Sequence, residues 1–250
     1  MTVHFVGAGP GAADLLTVRA TTLLATADVV LYPGTYLDAE VLSHCPQARI
    51  VDTQDLSLDQ ITAHLVEASR DGLQVVRLTS GDPSVYSALS EQTRRLDAAE
   101  VSWDVTPGVP AYAAAAALVG RELTVPLVAQ SVVLTRTQAR STRMPESESL
   151  AAFAATRATL VLHLAITRIR ELMGELAPEY GADCPVVVVY RASQPEQQVL
   201  LGTVDSIADQ VEEAGFRQAA IILVGRALAR DGGESWLYTA DRDRKRAPAR

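Results

Sequence analysis

The chain has 250 residues, 48% of them hydrophobic and 21% charged, a balance that supplies a globular core and fills one large or two small domains. Its formal net charge of −8 argues against a nucleic-acid partner, whose phosphates need a basic surface. No stretch approaches the roughly 20 apolar residues of a membrane span, no signal peptide is read, and Cys45 and Cys184 have neither metal-ligand spacing nor a disulfide framework; a reduced, soluble, cytoplasmic protein without a metal site is expected.

In chain order, residues 3–6 form an apolar run that ends in Gly7-Ala8-Gly9-Pro10-Gly11. Asp14 then opens a helical pattern with Leu16, Ala20, Leu23, Leu24 and Ala27 on one face, and its carboxylate suits an N-cap. Residues 29–31 read as the next strand, which completes the strand–loop–helix–strand unit of a parallel sheet. Ile61, Leu65 and Ala68 mark a second helix that Asp71-Gly72 ends. A strand at 75–78, a helix over 84–96, a strand at 102–105 and an alanine-rich helix over 111–118 follow.

A second series begins after Pro126. Residues 131–135 and 159–164 read as strands, and Ile169, Leu172, Met173 and Leu176 form a helical stripe. Residues 186–190 are a nearly continuous apolar strand of the kind buried on both faces. An edge strand at 198–204, a helix over 207–211 and a buried strand at 220–224 complete the series. Residues 136–149 are polar and charged and read as a long exposed loop, and the last ten residues, with five basic against two acidic side chains, as a solvated tail. The expected fold is α/β: two lobes, residues 1–115 and 116–250, each a mostly parallel sheet flanked by helices.

Three glycine-bearing turns follow three strands, and ligands of open α/β sheets bind at the carboxyl edge. With Ala12 as its last small residue, the first turn satisfies the G-x-G-x-x-G/A dinucleotide pattern. Against that, Pro10 removes an N–H from the anion nest, and Asp28 precedes the second strand where an acidic partner should end it. A tight packing turn explains the loop equally well. In Thr79-Ser80-Gly81-Asp82-Pro83-Ser84, Gly81 permits close backbone approach and Pro83 sits near the first helical turn. Asp82 there is either a helix cap or a carboxylate presented to a ligand. Thr106-Pro107-Gly108-Val109-Pro110-Ala111 lines the same edge. The turns predict a pocket without naming what fills it.

Val6-Gly7-Ala8-Gly9-Pro10-Gly11 with Asp14-Leu15-Leu16-Thr17, then Ala27-Asp28-Val29-Val30-Leu31-Tyr32, Gly81-Asp82-Pro83 and Pro107-Gly108-Val109, resemble the signatures of the tetrapyrrole (corrin/porphyrin) methyltransferases. Leu123-Thr124-Val125-Pro126, residues 130–136 and 185–192, and Ser235-Trp236-Leu237-Tyr238 resemble the branch that methylates precorrin-4 at C11. The resemblance spans nearly the whole chain. It implies a C-methyltransferase that uses S-adenosylmethionine to convert precorrin-4 to precorrin-5 in cobalamin biosynthesis, with S-adenosylhomocysteine as the other product. It also implies a homodimer of two-lobed subunits with the cofactor folded into the cleft between lobes. Carried over by motif, the cofactor contacts are Pro10, Ser80, Gly81, Asp82, Val85, Pro110, Ala111, Leu164 and Ala192, while Gly7, Gly9 and Gly11 face the tetrapyrrole. Two positions depart from the wider family, which often has Gly at Ser80 and Tyr-Met at His163-Leu164.

Methyl transfer from a sulfonium is an in-line displacement that needs alignment and exclusion of water, with no metal or covalent nucleophile. Asp82 is the candidate catalytic carboxylate, through contact with the cofactor or electrostatic support of the sulfonium. Tyr112 is a candidate floor of the tetrapyrrole site, with core packing as the alternative. Arg136 falls in a family-like motif and can bind a substrate carboxylate by a bidentate fork; Arg140 and Arg143 stand in the following loop, and Arg191 ends another strand. His163 is read as packing at a strand end, and no residue is identified as proton acceptor. Three alternatives stay open: the same chemistry at another ring position, a nicotinamide-dependent oxidoreductase built on Gly7-Ala8-Gly9, and a non-catalytic tetrapyrrole carrier.

Overall fold

Short apolar runs ending at glycine or a polar residue make the first sheet: β1 (Val3–Gly7), β2 (Val29–Tyr32), β3 (Arg49–Asp52), β4 (Val75–Thr79) and β5 (Trp103–Thr106). They lie in the order β3-β2-β4-β1-β5, and each pairing is parallel. The helices between them are α1 (Val18–Ala25), α2 (Leu58–Arg70) and α3 (Leu89–Ala98), with α4 (Ala111–Val119) after β5. Alternate strand residues point to opposite faces, and the helices sort accordingly. Ala20 and Leu24 of α1 pack with Val6, Val30, Val76 and Leu78. Ile61 and Leu65 of α2 and Leu96 of α3 pack with Val3, Phe5, Leu31 and Val75 on the other face. Steps toward β3 thus cross one face and steps back toward β5 cross the other, so the crossovers share one hand.

The second sheet comprises β6 (Val132–Arg136), β7 (Thr159–His163), β8 (Pro185–Tyr190), β9 (Gln198–Thr203) and β10 (Ala220–Val224), in the order β6-β7-β10-β8-β9. β6 and β7 are parallel, β7 and β10 antiparallel. Its helices are α5 (Leu150–Ala154), α6 (Ile169–Tyr180) and α7 (Ile207–Ala214). The interior strands β7, β8 and β10 are buried along most of their length, whereas β9 lies at the edge and is largely exposed. The fold is therefore α/β, two sheets flanked by helices.

This computed structural model describes residues 1–34, 37, 39–137, 143–229 and 235. It divides into two units, Met1–Leu118 with Tyr190–Gln198, and Val119–Val189 with Val199–Arg250. The chain thus leaves the second sheet at the end of β8, packs nine residues with the first unit, and returns as β9.

Several elements differ from the sequence expectation. Asp14 sits in a short 3-10 turn, and α1 begins later at Val18, where the Thr17 hydroxyl accepts the Ala20 N–H at 3.1 Å. The helix expected from residue 84 begins at Leu89, because the chain first turns through left-handed Tyr86 and Ala88. β3 is an added edge strand, α5 is an added helix just beyond the expected loop, and the 3-10 turn Glu146–Glu148 orders part of that loop. Arg140, Trp236, Leu237, Tyr238 and the basic tail lie outside the described residues.

Candidate active site

The parallel register sets the site. Gly7 pairs with Thr79 and Val6 with Thr106, so β1, β4 and β5 end in one row and their three turns rise side by side. The connection after β1 leaves for the α1 face, and the connection after the adjacent β4 leaves for the α3 face. Neighbouring strands whose connections diverge in this way make a topological switch point, where α/β sheets open a ligand crevice.

Backbone packing ties the turns together. The Ala8 N–H donates to the Thr79 carbonyl at 2.8 Å, and Gly9 and Gly81 exchange N–H···O bonds of 3.2 and 2.7 Å. A Cβ on Gly7 would lie 2.5 Å from the Gly108 nitrogen, and one on Gly108 would lie 2.2 Å from the Gly81 oxygen. Only residues without a side chain permit this approach. Pro110 and Ala111 come next to Gly81, each 3.7 Å from where its Cβ would stand.

Asp82 fastens two of the turns. One carboxylate oxygen accepts the Ser84 N–H at 2.8 Å together with the Ser84 hydroxyl, and the other accepts the Gly108 N–H at 2.8 Å. Burial on its own would raise its pKa, but the donors of Ser84 and Gly108 outweigh it and hold the group below the ordinary aspartate value. Asp82 is thus an ionised tie between loops rather than the cap of a helix. Val85 closes this turn by donating its N–H to the Asp82 carbonyl at 3.2 Å, and Ser80 is exposed beside it.

The segment Tyr190–Gln198 reaches the first glycine turn. The Ala12 N–H donates to the Ser193 hydroxyl at 3.1 Å, and the Gln194 amide donates to the Pro10 carbonyl at 3.2 Å. A Cβ on Gly11 would lie 2.3 Å from the Gln194 side chain. Buried Ala192 sits between left-handed Arg191 and Ser193 in this strap. Arg191 pairs with Glu196 at 3.2 Å and lies 5.7 Å over the Tyr190 ring.

All the sequence-predicted site residues except Leu164 and Arg136 therefore fall in the first unit, including Ala192, which is distant in sequence. Part-buried Tyr112 stands in the first turn of α4. In the second unit, Leu164 follows β7 with φ +53° and is 63% exposed, an uncommon state for an apolar side chain with a branched Cγ. Arg136 ends β6, pairs in register with His163, and lines a cavity of about 260 Å³ with Thr137, Arg143, Leu150 and Arg168. Exposed Arg143 is joined to Glu146 at 3.3 Å.

Ser84, Ser193 and Gln194 were not singled out from the sequence. Ser84 had a local signal, since Asp-Pro-Ser places a donor two residues beyond Asp82. Ser193 and Gln194 had none, because their partners lie about 180 positions away. The dinucleotide reading fails on geometry: the first turn leads into a 3-10 segment, and α1 starts only at Val18, so no helix N-terminus faces the loop. The predicted contacts of the first unit offer one carboxylate, several backbone groups, apolar Val85, Pro110 and Ala111, and no cation. That set suits a ligand that is partly apolar and positively charged.

Fold and turns define an α/β protein whose three glycine turns meet at a topological switch point on the carboxyl edge of a parallel sheet, the place where such sheets bind small molecules. The chain belongs to the Tetrapyrrole (Corrin/Porphyrin) Methylases, whose family pattern matches residues 2–208. It is 53% identical over 246 residues to a precorrin-4 C(11)-methyltransferase of Rhodococcus erythropolis, covering 98% of this chain and 99% of that one. The X-ray structure of a cobalt precorrin-4 methyltransferase of cobalamin biosynthesis superposes with a TM-score of 0.88 at 36% identity, covering 91% of this chain and 96% of that one. A uroporphyrin-III C-methyltransferase from Thermus thermophilus, solved in complex with S-adenosylhomocysteine, has a TM-score of 0.77 at 29% identity over 91% of this chain and 99% of its own.

Proposed function

We propose that this protein transfers a methyl group from S-adenosylmethionine to C11 of precorrin-4, giving precorrin-5 in cobalamin biosynthesis. The observation that carries the reading is full-length identity of 53% with a precorrin-4 C(11)-methyltransferase. The metal-free substrate is favoured over the cobalt complex because the cobalt precorrin-4 enzyme is only 36% identical.

S-adenosylmethionine, when bound, supplies an electrophilic methyl group on a sulfonium, and attack by C11 leaves the S–CH₃ electron pair on sulfur as the thioether. The protein's part is to hold the partners in line and keep water out. Ser80, Gly81, Asp82, Val85, Pro110, Ala111, Pro10, Ala192 and Leu164 are the proposed cofactor contacts, Leu164 as a plain apolar one. Asp82 gives the site a fixed negative charge beside the cation. With a lowered pKa it is a poor base, so its proposed role is electrostatic and not proton removal. Gly7, Gly9, Gly11 and Tyr112 are proposed to line the tetrapyrrole side, and Arg136 to meet one of its carboxylates.

The homodimer is part of the proposal. α4 carries no charged residue, yet only Ala115 and Ala116 of it are buried and Leu118 is 40% exposed. An apolar helix left uncovered fits a face closed by a second copy. A cytoplasmic location is supported by two unpaired buried cysteines, and among the described residues no helix is long and apolar enough to cross a membrane. Calorimetric titration with S-adenosylhomocysteine alongside NAD tests the cofactor assignment. Saturable binding of the thioether alone is expected; well-folded protein that binds only NAD, or neither, overturns it.

A further inference from the structure

Arg77 interrupts the apolar strand β4, with Phe5 and Leu31 as its neighbours in register. Those two residues face α2 and α3, so Arg77 does as well, and it is only 7% exposed. No carboxylate among the described residues pairs with it, and burial lowers its pKa to about 10. A buried cation without a counter-charge is costly, and it persists where its hydrogen bonds are needed.

Those bonds lead to the site. Arg77 Nη1 donates to the Thr53 hydroxyl at 3.1 Å, which in turn donates to the Tyr32 carbonyl at 3.0 Å. Arg77 Nε donates to Gln92 Oε1 at 3.2 Å. With its oxygen engaged by the guanidinium, the Gln92 amide can only turn its NH₂ outward, and Nε2 donates to the carbonyls of Ser87 at 3.3 Å and Ala88 at 3.1 Å. These carbonyls close the turn that begins at Asp82. The turn contains left-handed Tyr86 (φ +52°) and Ala88 (φ +56°), a conformation that side chains disfavour. Ala88 is also the N-cap of α3 and has no capping side chain. Gln92 therefore does not cap the helix, since toward this turn it donates and does not accept; from the first turn of α3 it pins the two carbonyls that lead into the helix.

We propose that Arg77 and Gln92 form a relay beneath the cofactor turn: Arg77 is a positioning residue that locks the Gln92 amide, and Gln92 holds the Ser87 and Ala88 carbonyls so that Asp82 and Val85 keep their binding geometry. The relay rests on the reading that Ser80–Val85 contact the cofactor. Neither residue touches the ligand; both act through the loop.

The variant Gln92→Glu separates the relay from simple core packing. It keeps the volume and gives Arg77 a better acceptor, but it replaces the NH₂ with an oxygen facing two carbonyls. A role confined to stability predicts an unchanged or higher melting temperature and unchanged S-adenosylhomocysteine affinity. The relay predicts a retained melting temperature, thioether affinity weakened by about tenfold or more, and a rise in the S-adenosylmethionine KM that exceeds the fall in kcat. Should the buried carboxylate prevent folding, Gln92→Met removes the donors without adding charge; it also takes away the acceptor of Arg77, so a lower melting temperature is expected and thioether affinity of the folded protein is the readout. Wild-type affinity in either folded variant overturns the relay. Wild-type protein that binds no thioether overturns the cofactor reading instead, and the relay with it.

Discussion

At Asp82, three donors from two different turns converge on one carboxylate, so its removal affects loop geometry as well as charge. Asp82→Asn keeps the volume but weakens charge-assisted bonds, at a cost of about 1–3 kcal/mol. Denaturant unfolding should register that loss, and thioether affinity should fall by about tenfold or more; no change in either would reduce Asp82 to a surface residue. Because its pKa is lowered, Asp82 stabilises the fold fully above the unfolded value of about 3.9, and that stability is lost only as pH falls through the folded value. His163 behaves differently. Burial lowers its pKa to about 4, so it is neutral at pH 7. Below about 6.5 the unfolded chain takes up a proton that the folded site refuses, so stability declines as pH drops from about 6.5 to about 4. Melting curves at pH 7 and pH 5 should show a smaller acid-induced drop for His163→Phe than for wild type; equal drops would remove His163 from the acid response.

Among the elements, α6 holds a simple internal control. Gly174 is exposed in the middle of the helix, with nothing within 4 Å of where a Cβ would stand, so Gly174→Ala should stabilise the protein by about 1 kcal/mol. Gly108→Ala, by contrast, drives a Cβ into the Gly81 carbonyl and should abolish thioether binding. The strap Tyr190–Gln198 makes a subtler prediction: Gln194→Ala frees the Pro10 carbonyl and should raise KM by about three- to tenfold with less change in kcat. Equal kinetics would mean that the strap does not shape the turn. The central elements were readable in the sequence because buried strands are apolar runs bounded by glycine, and the row of three turns followed from them. β3 escaped because Arg49–Asp52 is a partly exposed edge strand with charged ends. Helix starts differ from the acidic residues for two reasons: at α1 the Thr17 hydroxyl caps in place of Asp14, and at α3 the Asp82 carboxylate is taken up by Ser84 and Gly108 while the chain turns through left-handed Tyr86 and Ala88 before the helix begins. The strap's attachment could not be read, since contacts between residues about 180 apart leave no local pattern. Arg77 did leave one, a lone charge inside the run Val75-Val76-Arg77-Leu78.

For the whole molecule, the exposed apolar α4 and the proposed dimer make one claim. Light scattering should give twice the chain mass at micromolar concentration, and Ala117→Glu, a charge placed on the exposed side of α4, should shift the protein toward monomer. A wild-type monomer would leave that face unexplained. The chemistry itself has a more direct test: incubation with precorrin-4 and S-adenosylmethionine carrying a ¹³C-labelled methyl group, followed by NMR of the tetrapyrrole. The account predicts a single new labelled methyl at C11, formed in step with S-adenosylhomocysteine. A labelled methyl at another ring carbon, or none from protein that binds the thioether, would contradict it.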